Sequence, residues 1–312
     1  MEKKRNGLLE VYRLFFCFWV MYHHNFFFVE RDYDTFTVAN LAVDFFFILS
    51  GFFLMRSMRK MKEESVFSGV KKLIFSRAKP VALTVAFIAL FNLICSVLFI
   101  KENYFYTVFQ IFRYWWYLLY LFVAIGAFYI VYRLIKSEKK YVTFLVLTVF
   151  AMVAFHYALE ERGFFIYEFT FVARTIGCLA LGMLISYIPE GKSKRVKLCI
   201  WIVSILIVSI AFLAYGKKNY LICLGIIALF AALIHFTSKI PIGGKFYEII
   251  GQLSTRMYLY MSFITMLELM GLSNHRILFM VDLFLSILDL IMTNYRNKYL
   301  ALKKQQSLRV KE

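Results

Sequence analysis

Arg13 and His24 stand eleven positions apart in the first long apolar run, residues 8–29, LLEVYRLFFCFWVMYHHNFFFV. At about 100° per residue that spacing is ~1100°, three turns plus ~20°, with ~16 Å between them along a helix axis. One helical face therefore carries both. Arg13 sits near the inner third of a bilayer and His24 near the outer surface. An ionisable side chain in hydrocarbon costs about 2.5–3.5 kcal/mol even on the lenient insertion scale, so a span that keeps several has a use for them. The second span begins NLAVDFFFILSGFFLM. Asp44 lies about five residues in from its outer end, as His24 does in the first span, which puts both ~7–8 Å deep. A carboxylate beside an imidazole at equal depth orients it for general base catalysis. The same spacing also suits a buried polar pair that only packs a helical hairpin.

Other polar groups extend this stripe. Glu10 and Arg13, at i and i+3, can pair along one helix. Arg13 with Arg56, Lys72, Arg77 and Lys79 is a candidate site for a phosphorylated ligand, although topology alone accounts for most basic residues at that end. Ser50 with Gly51 reads first as a close helix contact, ahead of a nucleophile. Cys17 lies about 40° round the helix from Arg13, where a small thiol in a helix contact is the default and an acyl carrier the alternative. Tyr114, Trp115, Trp116 and Tyr117 read equally as an interfacial belt and as a platform for a sugar ring. His23, His156, His235 and His275 receive no role. The five cysteines show no CxxC spacing, so neither a disulfide framework nor a metal site is expected.

These groups need a scaffold. The chain has 312 residues, 62% of them hydrophobic, and a mean hydropathy of +0.69. Repeated apolar runs without period-2 alternation predict an all-α, polytopic transmembrane helix bundle. Ten spans are expected, at about 8–29, 39–57, 80–100, 110–132, 141–158, 168–188, 198–215, 219–236, 256–272 and 277–295. Most of the 37 lysines and arginines fall on one side of this arrangement, which puts both termini in the cytoplasm. The net charge of +18 is thus a topology signal, and no nucleic-acid partner is expected. Residues 1–312 form one domain, with no cleavable signal and no appended soluble domain. A helix over 65–77 is expected along the membrane surface, with Pro80 opening the third span. Residues 245–254 read as a similar short piece ahead of the ninth span.

The ordered set of motifs resembles the acyltransferase 3 family, integral membrane enzymes that O-acylate surface glycans. Arg13 and His24 match its arginine–histidine spacing, and Glu10 its preceding acid. Val43–Leu54 matches its VDFFFxLSGFxL pattern, and Lys71, Lys72, Arg77 and Pro80 its basic run. Trp116–Phe122, Arg174 with Gly177 and Gly182, and Ile250–Tyr260 match more loosely. Two positions depart, with Ile74 where a second arginine is usual and Met261 in place of a histidine.

The resemblance implies transfer of an acyl group, in the first instance acetyl, from cytoplasmic acyl-CoA to a hydroxyl of an extracytoplasmic, surface or lipid-linked carbohydrate. His24 would be the base and Asp44 its support. Arg13, Glu10, Lys72 and Arg77 would serve the donor, and Trp116, Arg174 and Ser50 would line the acceptor path. No bound cofactor or metal is implied; acyl-CoA is a co-substrate, and membrane lipid surrounds the protein in an inner or plasma membrane. The rival reading is a transporter or exporter of a glycan or small polar solute, in which the same charges line a path.

Overall fold

The computed structural model describes residues 6–23, 33–61, 64–99, 115–160, 167–188, 220–238, 240, 242–272 and 274–309. Among them are ten helices and no strand. These are α1 (Gly7–His23), α2 (Tyr33–Lys60), α3 (Val66–Ala78), α4 (Ala82–Phe99), α5 (Trp116–Leu134), α6 (Glu138–Glu160), α7 (Tyr167–Ile185), α8 (Tyr220–Thr237), α9 (Lys245–Leu269) and α10 (His275–Arg309). Three helices are long and apolar enough to cross a membrane: Leu41–Lys60, Trp116–Leu134 and Arg276–Leu300. The bent pair α3–α4 makes a fourth when taken as one span. Phe171–Ile185 and Gly225–Thr237 are shorter apolar helices. The expected span 198–215 and the expected span ends 24–29 and 110–114 lie outside the described residues.

Local chemistry sets the helix ends. Asn6 caps α1: its Oδ1 accepts the Leu9 N–H at 3.3 Å. The Asn6 amide donates to the carbonyls of Thr237 and Ile240, each at 2.8 Å, and so ties the start of α1 to the end of α8. Ser65 caps α3 through its hydroxyl, which accepts the Ser68 N–H at 3.3 Å. Helix α3 stops at Ala78, two residues before Pro80, which has no N–H to continue the ladder. The chain then turns by 66° into α4, close to the expected break. After α9, Gly271 takes a φ of +96°, a left-handed conformation that suits glycine at a helix end.

One expectation needs correction. Residues 245–254 are not a separate interfacial piece; α9 runs unbroken from Lys245 to Leu269. It contains no proline, and a lone Gly251 costs only about 1 kcal/mol of helix propensity, too little to end the helix.

Helix α2 is the central post. Its Ser-Gly step is a close helix contact, as the sequence suggested. A Cβ at Gly51 would overlap the Leu179 backbone, and one at Gly182 the Ile48 backbone, so α2 and α7 touch main chain to main chain. On another side Phe45 packs on Phe16 of α1 and Phe230 of α8, with ring centroids at 4.3 and 5.7 Å. Helices α1 and α9 run parallel. Gly7 lies against Tyr247, Glu10 against Gly251, and Arg13 bonds Thr255.

Candidate functional site

The site is built outward from Arg13, on α1. One Nη donates to Glu10 Oε2 at 2.7 Å, one turn back on the same helix. The other Nη donates to Thr255 Oγ1 on α9 at 2.8 Å. Glu10 lies in the first turn of α1, where the helix dipole favours a carboxylate. The predicted i, i+3 pair is therefore present and extended by a hydroxyl. Glu10 is buried and Cys17 is 1% exposed, but the Arg13 side chain keeps 27% of its surface accessible. The guanidinium is gripped on two sides and still open.

Ser50, on α2, is half-buried and shares a 3.4 Å hydrogen bond with the Tyr117 hydroxyl of α5. Tyr117 packs its ring on Phe47 at 4.5 Å, and Tyr258 of α9 meets it edge-on at 5.7 Å. Hydroxyls of Ser50, Tyr117 and Tyr258 thus stand among aromatic rings inside an apolar bundle.

Cys17 is a helix contact. Its thiol donates to the Ser254 carbonyl at 3.2 Å and is enclosed. Asp44 is also enclosed, and its described partner is an arginine. Arg174 of α7 donates to Oδ1 from Nε at 3.1 Å and from Nη at 2.8 Å, and the Cys178 thiol shares the carboxylate. His24 lies outside the described residues. Trp116 is half-buried and packs on Phe171 at 4.4 Å and Phe47 at 6.1 Å, inside an aromatic cluster between α2 and α7.

The basic residues of α3 are placed apart from Arg13, with no described contact between them. Lys72 is exposed and pairs with Glu64. Arg77 donates to the Leu73 carbonyl of its own helix at 3.0 Å. Burial presses the Arg77 pKa below the usual arginine value, which still leaves the group charged at neutral pH. Among the described residues no three His, Cys, Asp or Glu side chains come together as metal ligands.

Sequence reasoning did not single out Thr255, Tyr117 or Tyr258 as site residues. A signal existed for two of them. Tyr247, Gly251, Thr255 and Tyr258 recur at helical spacing in α9, so they form one stripe, which is the one that α1 meets. Tyr117 was visible only as one member of an aromatic run.

Neither a curated protein nor a solved structure matches the chain. The model of the acyltransferase 3 family, described as an acyltransferase domain, matches residues 6–291, and the chain belongs to this family of acyltransferases.

Proposed function

We propose that the protein is a membrane-embedded O-acyltransferase that moves an acetyl group from cytoplasmic acyl-CoA to a hydroxyl of an extracytoplasmic carbohydrate. One observation carries this reading: the Arg13 guanidinium is held by Glu10 and Thr255 inside an apolar bundle, yet 27% of its side-chain surface stays accessible. A partly accessible cation with spare donors suits an anionic or amide-bearing ligand more than it suits packing.

On this reading the donor's phosphates are met at the cytoplasmic side by Arg77, Lys72 and neighbouring basic groups. The pantetheine arm runs into the bundle past Arg13. The thioester arrives near His24, and the acceptor comes from the outer face. His24 takes the proton of the acceptor hydroxyl as its oxygen attacks the thioester carbonyl. The carbon–sulfur bond then breaks, and the leaving thiolate takes the proton back from the imidazolium. Asp44 orients the ring; Arg174 fixes Oδ1 and leaves lone pairs of the carboxylate for that purpose. Both termini are cytoplasmic, and the protein resides in an inner or plasma membrane.

Mass spectrometry of the host's surface polysaccharide tests the proposal. Deleting the gene is expected to remove the mass of one acetyl group per modified sugar. His24→Ala is expected to reproduce that loss with the protein still inserted. Acetylation that survives His24→Ala overturns the role of His24, and movement of unmodified substrate without acyl-CoA overturns the acyltransfer reading.

A further inference from the structure

The geometry points to Gly251 as a positioning residue that fixes the direction of the Arg13 guanidinium. The inference rests on the reading of Arg13 as a donor-binding side chain and deepens it. Both groups that hold the Arg13 fork are set by this one residue, which has no side chain of its own. On one side, Glu10 lies in the space that a Gly251 side chain would fill: a Cβ there would overlap the carboxylate, Oε2 first and then Cδ. Oε2 is the atom that accepts from Arg13 at 2.7 Å. On the other side, Thr255 Oγ1 donates its single hydrogen to the Gly251 carbonyl at 3.1 Å. That bond turns the hydroxyl's lone pairs outward, where one accepts from the second Arg13 Nη at 2.8 Å.

The surroundings hold this register in place. One turn earlier Gly7 lies against the Tyr247 ring. One turn later the Cys17 thiol bonds the Ser254 carbonyl. The Ser254 hydroxyl also donates to the Gly251 carbonyl, at 3.0 Å. Helices α1 and α9 are therefore pinned on both sides of position 251. The nearest atoms that a methyl group added there meets are the far end of the flexible Glu10 side chain, so Glu10 is the part that moves. Its displacement removes one hold on Arg13 and frees the guanidinium to swing from its present direction.

The test uses the full chain, purified in detergent, with coenzyme A as the binding probe and acetyl-CoA as the donor. Gly251→Ala is expected to raise the Kd for coenzyme A and the KM for acetyl-CoA about ten-fold, the worth of one charge-assisted hydrogen bond. The kcat is expected to stay within about two-fold, since chemistry happens elsewhere. Adding Glu10→Asp to Gly251→Ala is expected to restore binding, because a carboxylate shorter by one methylene clears the new methyl group. A merely structural role would not show that rescue. Affinity unchanged by Gly251→Ala, or a double variant no better than the single, overturns the inference. If Gly251→Ala does not fold, Thr255→Val reports on the other hold, with unchanged affinity again the overturning result. Arg13→Ala separates the two levels of the argument. If it binds coenzyme A as tightly as the native protein, the donor role of Arg13 falls; if it binds weakly while Gly251→Ala binds normally, only the role of Gly251 falls.

Discussion

Thr255 and Arg256 are neighbours on α9, and they serve two arginine–carboxylate pairs of opposite character. Thr255 points toward α1 and holds Arg13, whose carboxylate, Glu10, sits on its own helix. Arg256 points toward α10, where its Nε lies 3.3 Å from Asp289 Oδ2. Thr84 of α4 donates to that same oxygen at 2.6 Å, and Thr293 donates to Oδ1 at 3.1 Å. This second pair joins three helices, and the Arg256 side chain is 7% exposed against 27% for Arg13. The difference teaches how to tell a brace from a site. A brace pairs its charge across helices and is sealed. A site holds its cation in place and leaves one side of it open.

That contrast is best broken by mutation. Arg256→Ala leaves the half-buried Asp289 without its cation, so a loss of about 3 kcal/mol of stability is expected, read as a marked fall in the thermal unfolding midpoint in detergent. A midpoint within the noise of the native value would remove Arg256 from the brace. Gly51→Ala comes next. Its methyl group meets the Leu179 backbone, which cannot swing aside, and about 1–3 kcal/mol is expected. The same substitution at Gly251 meets the movable Glu10 side chain first, so the two unfolding midpoints should differ clearly, with Gly51→Ala the lower.

Arg13→Ala leaves the buried Glu10 without its cation, so a stability loss of about 1–3 kcal/mol is expected, while acetyl transfer falls steeply in an acetyl-CoA turnover assay. Full activity in that variant would place Arg13 with the braces. Smallest of all is Lys72→Gln. The pair with Glu64 is on the surface, and stability is expected to change by no more than about 0.5 kcal/mol. A larger effect on coenzyme A affinity than on stability would mark Lys72 as a phosphate contact.

Glu10 and Arg13 were legible because i, i+3 spacing on a helix is a purely local fact. So was the break at Pro80, where a missing N–H ends a ladder whatever surrounds it. The Ser50-Gly51 step was legible in part. Its close contact follows from residue size, but the hydrogen bond from Ser50 to Tyr117 depends on which helix arrives opposite. Asp44 shows the limit most clearly. No local pattern names its described partner, Arg174, 130 positions away in the chain.

By itself, then, the sequence determined an all-helical, strongly apolar chain, the helix ends that caps and proline impose, and the polar face of α1. These follow from propensity, periodicity and hydrophobicity, which act within a few residues. Only the tertiary structure decided which cation is sealed and which is open. Thr255 and Arg256 differ by about 100° around one helix axis, and that rotation has meaning only once α1 lies on one side of α9 and α10 on the other.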